Sequence, residues 1–414
     1  MKLDIGHLMR PGTLTLPALP PLSVYVHLPW CLKKCPYCDF NSHEWRTATS
    51  TAALIPVQAA SPSMPEAAYL DALCADLESS LPLVWGRPVH SLFIGGGTPS
   101  LFSPSGIARL ISDLRARLPL VPDCEITLEA NPGTFETDRF HAYRQAGVTR
   151  LSVGVQSFDD QHLKAIGRVH DGAQALAAVR EASVAFDTFN IDLMYALPGQ
   201  QQDDLKRDLS TALELKPSHL SIYHLTIEPN TLFAKHAPPG LPQEDQAYDM
   251  LDAIIGETER QGLQRYEVSA FAKEGHRCWH NTNYWQFGDY LGLGAGAHSK
   301  ISFAHRICRM VRHREPGLYM QKAMAEDAVA QFEEVSRSQL PFEFMLNALR
   351  LKEGVPIAAF MERTGMPLSA IEPGLQKAQA RGLLSVDHAC MRPTEKGFDF
   401  LSDLQALFLP DSAE

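Results

Sequence analysis

Six short apolar, β-rich runs, at residues 23–28, 91–94, 125–128, 150–155, 189–193 and 219–225, alternate with stretches of helical pattern. This alternation restricts the fold more than any other feature of the chain. Helices are expected over 66–81, 105–118, 173–183, 202–215 and 244–261, where apolar residues recur at three- and four-residue steps. Strands separated by crossover helices pair in parallel, so the chain predicts an α/β fold, either a barrel or an open doubly wound sheet. The polar residues separate the two. The first run is followed by three cysteines, the second by Gly96, Gly97 and Thr98, the third by Glu129, the fourth by Gln156 and the sixth by Thr226, while Asp192 lies within the fifth. One chemically useful group per strand end forms a ring, and barrels build their sites on that rim. An open sheet would use only the strands beside its switch point.

Cys31, Cys35 and Cys38 are spaced by three and then two residues, directly after the first strand. Thiolates are soft ligands that select iron-sulfur clusters, zinc or copper(I), and three of them can hold three irons of a cubane while the fourth iron stays open. Pro36 keeps the loop from continuing as a helix, so it can wrap a ligand. A structural zinc site completed by His27, Asp39 or His43 is the alternative. The other cysteines, Cys74, Cys124, Cys278, Cys308 and Cys390, follow no paired pattern, which points to a reducing, cytoplasmic setting. Residues 1–23 show no signal-peptide core, and no run is apolar and long enough to span a membrane. A net charge of −11 argues against a general nucleic-acid binder.

The segment Tyr25-Val-His-Leu-Pro-Trp-Cys31-Leu-Lys-Lys-Cys35-Pro-Tyr-Cys38-Asp-Phe, with Gly95-Gly-Gly-Thr-Pro99 downstream, resembles the radical S-adenosylmethionine (SAM) superfamily. More narrowly, the chain resembles the oxygen-independent coproporphyrinogen III oxidase-like family and its haem-chaperone branch, from about Leu22 to the C-terminus. Leu128-Glu-Ala-Asn-Pro132, Val153-Gly-Val-Gln-Ser-Phe158, Gly167-Arg168, Asn190-Ile-Asp-Leu193 and His280-Asn-Thr-Asn-Tyr-Trp285 carry the likeness further. The resemblance implies a partial (β/α)6-type barrel and a [4Fe-4S] cluster on Cys31, Cys35 and Cys38 whose open iron chelates SAM. It also places Tyr25, Tyr37, Gly96, Gly97, Thr98, Glu129, Gln156, Arg168, Asp192 and Thr226 around SAM. Their chemistry suits that role, since glycines admit close approach, carboxylates accept from ribose hydroxyls or the ammonium, and an arginine meets the carboxylate.

Two departures from the coproporphyrinogen dehydrogenase pattern bear on function. Its fourth cysteine, two positions after the third, is Phe40 here, and its longer N-terminal segment is reduced to the stretch before Tyr25. Both weigh against oxidative decarboxylation of coproporphyrinogen III and for the haem-chaperone branch. In that branch the His-Asn-x-x-Tyr-Trp motif suggests haem contact: His280 and Tyr284 as axial ligands, Trp279 and Trp285 over a porphyrin face, Cys278 as a further thiolate. A packed corner with a satisfied histidine is the plainer reading. The Gly292–His298 stretch lacks the dinucleotide-loop spacing and reads as a tight turn.

The expected layout is an N-terminal extension (1–21), a barrel core (22–240) with a flexible insertion at 48–65, a barrel extension carrying the motif (241–330) and a mostly helical, winged-helix-like domain (331–414). From Val335 onward eight Lys or Arg stand against ten Asp or Glu. With no basic face, that module is expected to be a lid or a partner-docking element rather than a DNA reader. The chain as a whole is expected to bind haem and pass it to acceptor haemoproteins, with no nucleic acid and no stable membrane insertion. A homodimer is compatible with the sequence.

Overall fold

In β1 (Leu22–Leu28) alternate side chains go to opposite faces, and the two faces differ in kind. Val24, Val26 and Leu28 join an apolar core shared with helix residues such as Leu73 and Ile107. Ser23 turns the other way, and its Oγ accepts from Ser91 Oγ at 2.9 Å on the neighbouring strand. The same division recurs in β2 (Val89–Gly96), β3 (Leu120–Ala130), β4 (Arg150–Gln156), β5 (Phe189–Tyr195) and β6 (His219–His224). All six strands are parallel and pair in chain order. Between them run α1 (Glu66–Val84), α2 (Pro104–Arg117), α3 (Arg139–Gln145), α4 (Asp160–Ala165), α5 (Gly172–Ala185) and α6 (Gln202–Glu214), and α7 (Glu244–Arg260) follows β6. Ser103 caps α2 by accepting from Gly106 N at 3.0 Å, and Glu66 at the start of α1 accepts from the Ser103 backbone N at 2.9 Å. Neighbouring crossovers are thus locked to each other at the rim.

The computed structural model describes residues 5–8, 10–45, 64–133 and 138–410, so the expected insertion at 48–65 lies almost wholly outside the described residues. Beyond the six strands, β7 (Gln264–Arg265) and β8 (Ala270–Ala272) extend the sheet antiparallel past β6. On the other side β9 (Asp289–Leu293) lies parallel to β1, followed by antiparallel β10 (His298–Phe303), β11 (Arg306–Arg312) and β12 (Val329–Glu334). The order is β12-β11-β10-β9-β1-β2-β3-β4-β5-β6-β8-β7, an open-ended sheet with the partial barrel at its centre. Among the described residues no helix is long and apolar enough to cross a membrane.

Helix α8 (Trp279–Trp285) plugs the barrel at the N-terminal ends of its strands. Glu125 on β3 accepts from Trp279 N at 3.3 Å and His280 N at 3.2 Å, satisfying backbone donors that a helix start leaves open. A second apolar core, containing Phe344, Phe360 and Leu404, belongs to the C-terminal module. This consists of α10 (Leu340–Ala348), α11 (Ile357–Thr364), α12 (Glu372–Ala380), a three-stranded sheet and the short helices α13 (Glu395–Asp399) and α14 (Leu401–Ala406), after α9 (Pro316–Ala323) of the main body. The module docks on the plug: Phe344 packs edge-on against Phe287, Arg350 lies 4.2 Å from the Trp285 ring centre and Arg277 pairs with Glu353. It therefore closes the barrel floor and cannot act as a lid over the opposite rim, which corrects that expectation. The N-terminal stretch is a strap, with Leu14 and Leu16 buried in the second core and Leu14 N and Leu16 N donating to the turn between β10 and β11.

Candidate functional site

The cysteine loop leaves β1 at the rim and closes on itself before anything binds. Trp30–Cys31 forms a parallel bridge with His43–Glu44, Cys38 N donates to the Cys35 carbonyl at 3.1 Å, and Lys34 Nζ donates to the Phe40 carbonyl at 3.0 Å. Its base is fixed to distant chain: Asn41 Nδ2 donates to the carbonyls of Ala295 and Arg314 at 3.0 and 2.8 Å. The glycine-rich 292–298 stretch is the tight turn that makes room for this. A Cβ on Gly296, which has φ +73°, would lie 2.5 Å from the Asn41 amide. Pro36 packs on Gly167, and its carbonyl accepts from Phe233 N at 3.0 Å. The three cysteines are half-buried and unbridged. Burial pushes the Cys31 thiol up to about 11 and raises that of Cys38. Both are protonated at neutral pH, so metal binding there releases protons.

Beside the loop opens a cavity of about 360 Å³. Cys31, Cys35 and Cys38 line it, together with nine of the ten residues expected around SAM: Tyr37, Gly96, Gly97, Thr98, Glu129, Gln156, Arg168, Asp192 and Thr226. Tyr25 is the exception. It lies beneath the floor, its hydroxyl donating at 2.9 Å to Nδ1 of His27, whose Nε2 donates to the Asn41 carbonyl at 2.9 Å. Burial lowers the His27 pKa to about 4, so the ring is neutral, and both nitrogens are committed. His27 is therefore not placed to complete a zinc tetrahedron.

The glycines act on the protein itself as much as on a ligand. A Cβ on Gly96 would fall 2.6 Å from the His27 ring, and one on Gly97 2.6 Å from the Trp30 carbonyl oxygen. Gln156 holds φ +70°, a left-handed conformation that costs a residue with a Cβ about 1–2 kcal/mol. Arg168 is tied down by Asn131 Oδ1 at 2.6 Å, the Gly154 carbonyl at 2.7 Å and Cys35 Sγ at 3.6 Å. Burial opposes its charge, but Tyr37 and Cys35 outweigh that and raise its pKa. Its Nε is buried without a hydrogen-bond partner among the described residues. Thiols at one end, an arginine with an open donor beside them and two acids at the other end fit a cluster and an amino-acid sulfonium ligand.

Those acids are Glu129 and Asp192. Burial, then the neighbouring Asp192, pushes the Glu129 carboxyl up to about 8, although Gly96 N donates to it at 3.0 Å. Burial also raises Asp192, against hydrogen bonds from Ser152 and Asn190. A raised carboxyl keeps its proton in the folded chain where the unfolded chain has lost it. Its stabilising contribution is complete below about pH 4.5 and disappears as pH climbs to about 8. Glu129→Gln should therefore leave the melting temperature of the cofactor-free protein nearly unchanged at pH 5 and raise it by a few degrees at pH 8.5. The same variant should weaken SAM binding about tenfold at pH 8.5. Thermal melts at the two pH values, with a SAM titration, check both.

His280 and Tyr284 are not brought to this cavity. His280 is buried in the barrel floor with Nδ1 3.0 Å from Ser91 Oγ and its ring 4.9 Å from Phe93, and burial lowers its pKa to about 3. Tyr284 stacks on Tyr290 at 4.1 Å, Trp279 stacks on His90, and the buried Cys278 thiol approaches Glu125. The motif expected to supply axial haem ligands forms the plug helix, and in this structure its side chains pack in the barrel floor. Asn131, Ser152, Asn190 and Tyr223 belong to the site or its support and received no role from the sequence. Asn131 and Asn190 stand inside motifs singled out there, the only signal available.

The Radical SAM superfamily model matches residues 25–212, and that of the HemN C-terminal domain matches residues 335–400. Heme chaperone HemW of Escherichia coli (strain K12) is 45% identical over 395 residues, 95% of this chain and 99% of that one. The Haemophilus influenzae protein of the same name is 42% identical over 402 residues, 96% and 100% of the two chains. The solved structure of coproporphyrinogen III oxidase (HemN) from Escherichia coli, a radical SAM enzyme, aligns with a TM-score of 0.78 and 25% identity, covering 94% of this chain and 90% of that one. This chain belongs to the radical SAM superfamily and, within it, to the oxygen-independent coproporphyrinogen III oxidase-like family that contains the heme chaperones HemW.

Proposed function

We propose that this protein binds haem and hands it to acceptor haemoproteins, with a [4Fe-4S] cluster on Cys31, Cys35 and Cys38 and SAM in the adjoining cavity. Membership in the radical SAM superfamily implies the cluster and SAM. A cluster held there supplies an iron with an open coordination position and, when reduced, an electron within reach of a bound sulfonium. The protein's own part is to orient that ligand between Arg168 and the two acids.

The observation that supports haem handling is the lip of the cavity. Leu32, Phe40 and Val169 line the mouth and are 49%, 63% and 54% exposed. Three large apolar side chains held in water around one opening are costly unless something apolar covers them, and a porphyrin face is of that kind. Phe40 stands where the dehydrogenase pattern carries its fourth cysteine, so the position that separates the two activities is itself part of the lip. The haem site proposed is this mouth, in place of the buried His280 and Tyr284.

Phe40→Asp should weaken haem binding about tenfold, the order expected from losing one buried aromatic contact, while iron and sulfide content stay at the parent level. Haem titration followed by absorbance checks this, and an unchanged titration would remove the lip from the haem site. Haem-loaded protein mixed with a haem-free cytochrome should then develop the spectrum of the acceptor. Conversion of coproporphyrinogen III to protoporphyrinogen by cluster-loaded protein with SAM and reductant would instead make the chain a decarboxylase.

A further inference from the structure

The hydrogen bonds inside the barrel form a chain whose direction is set at its Asp192 end, where the carboxylate accepts from the Asn190 amide nitrogen and leaves the amide oxygen to face His219 Nδ1. Cys278 N, the backbone donor just before the plug helix, points at Tyr266 Oη, 3.3 Å away. A backbone N–H can only donate, so the phenol accepts there, and because Nδ1 of His219 faces the amide oxygen and carries the ring's hydrogen, Nε2 accepts the phenol's proton at 2.9 Å. The neutral ring then carries its hydrogen on Nδ1, which donates to Asn190 Oδ1 at 2.7 Å. The amide's Nδ2 donates to Asp192 Oδ1 at 2.8 Å and to Ser152 Oγ at 2.7 Å. Ser152 Oγ in turn donates to Asp192 Oδ2 at 3.0 Å. Both carboxylate oxygens at the cavity are thus held by donors ordered from the opposite end of the barrel.

We propose that His219 and Tyr266 are positioning residues for the rim site: acting through Asn190, they hold Asp192 as an oriented acceptor before any ligand arrives. Neither residue lines the cavity. His219 is 1% exposed and Tyr266 equally buried, and burial holds the imidazole neutral, as the relay requires. Chains of donors aligned in one sense polarise each other, so the far members strengthen the bond at the carboxylate. The inference rests on the reading that SAM occupies the cavity, and its test has one arm that does not.

In cluster-loaded full-length protein, SAM dissociation constants are measured from pH 5.5 to 9 for the parent, His219→Leu, His219→Gln and Tyr266→Phe. His219→Leu should weaken SAM about tenfold, the worth of a lost hydrogen bond serving a charged group, and move the acid limb of the profile to higher pH. His219→Gln, whose amide offers a donor and an acceptor, should restore most of both. Tyr266→Phe removes one hydroxyl and should move the limb in the same direction should His219→Leu fold poorly. Glu129, Arg168 and Tyr223 face Asp192, and Arg150 and His276 face His219; all are common to the series, so a difference between variants reports the relay. Parent-like profiles in His219→Leu and Tyr266→Phe would overturn the proposal.

The independent arm uses cofactor-free protein and urea-unfolding midpoints for Tyr266→Phe, Asp192→Asn and the double variant. These residues do not touch, so a merely structural hydroxyl gives additive shifts, and additivity overturns the relay. A double shift smaller than the sum supports it. Parent protein that fails to bind SAM at every pH sinks the reading of the cavity, and the unfolding cycle still decides the relay.

Discussion

Cys35→Ser should abolish the proposed cluster and leave the fold standing. The reason lies in how the loop is held. Its ties run through backbone and through Lys34, Asn41 and Pro36, while the Cys35 sulfur meets a long 3.6 Å contact from Arg168 and the Tyr37 hydroxyl. A hydroxyl replaces that contact but is a poor ligand for iron, and two thiolates cannot hold a cubane with three protein-bound irons. Anaerobic reconstitution should give iron and sulfide near background and no broad visible absorbance, with a melting temperature close to that of the cofactor-free parent. Cys74→Ser, far from the loop, should reconstitute normally. An intact visible spectrum in Cys35→Ser would sink the assignment of the cluster to this loop.

Asp289→Ala should damage the fold more than any substitution at the rim. Asp289 is fully buried at the start of β9 and answers two cations at once, Lys300 at 3.0 Å and Arg87 at 2.8 Å, while accepting from Ser302 N and Ser302 Oγ at 2.8 Å each. Burial alone would raise its pKa; Lys300 and Arg87 outweigh burial and hold it below the ordinary carboxylate value. Its stabilisation is present above about pH 4 and is lost as pH falls below that. Removing the carboxylate strands a buried ammonium and a buried guanidinium, a change that costs about 3–5 kcal/mol. Thermal or urea unfolding of cofactor-free protein should show a large loss in Asp289→Ala and a smaller one in Asp289→Asn, which keeps the shape and part of the hydrogen bonding. Equal losses in both would mean that packing, not charge, holds this corner.

These two cases also show what the sequence made legible. The cysteine loop and the strand ends are local: spacing, a proline and an alternating pattern reveal them, and all six expected strands appear within a few residues of their expected bounds. The rim residues could be assembled because a parallel barrel converts strand ends into one ring. Asp289 and β9 could not be read this way. Asp-Tyr-Leu-Gly-Leu merges into a glycine-rich turn, and its pairing with Leu22 at the other end of the chain leaves no periodic trace. The His280 helix is ambiguous in sequence for a related reason. Histidine, tyrosine and tryptophan suit a porphyrin and suit a packed floor equally well, and the contacts that place this helix come from Glu125, Ser91 and Phe93 on two other strands. Polar residues such as Asn190 and His219 lie on the inner face of strands that read as apolar runs, so their partners appear only once the barrel is closed around them.

The anchoring of Asn41 to Ala295 and Arg314 sets an order of events during synthesis. The cysteines emerge from the ribosome early, but the backbone carbonyls that fix the base of their loop are made only after most of the chain has followed. The first strand likewise waits for β9 before both its edges are paired. The loop thus takes its described shape only once the late-made turn that anchors Asn41 is in place.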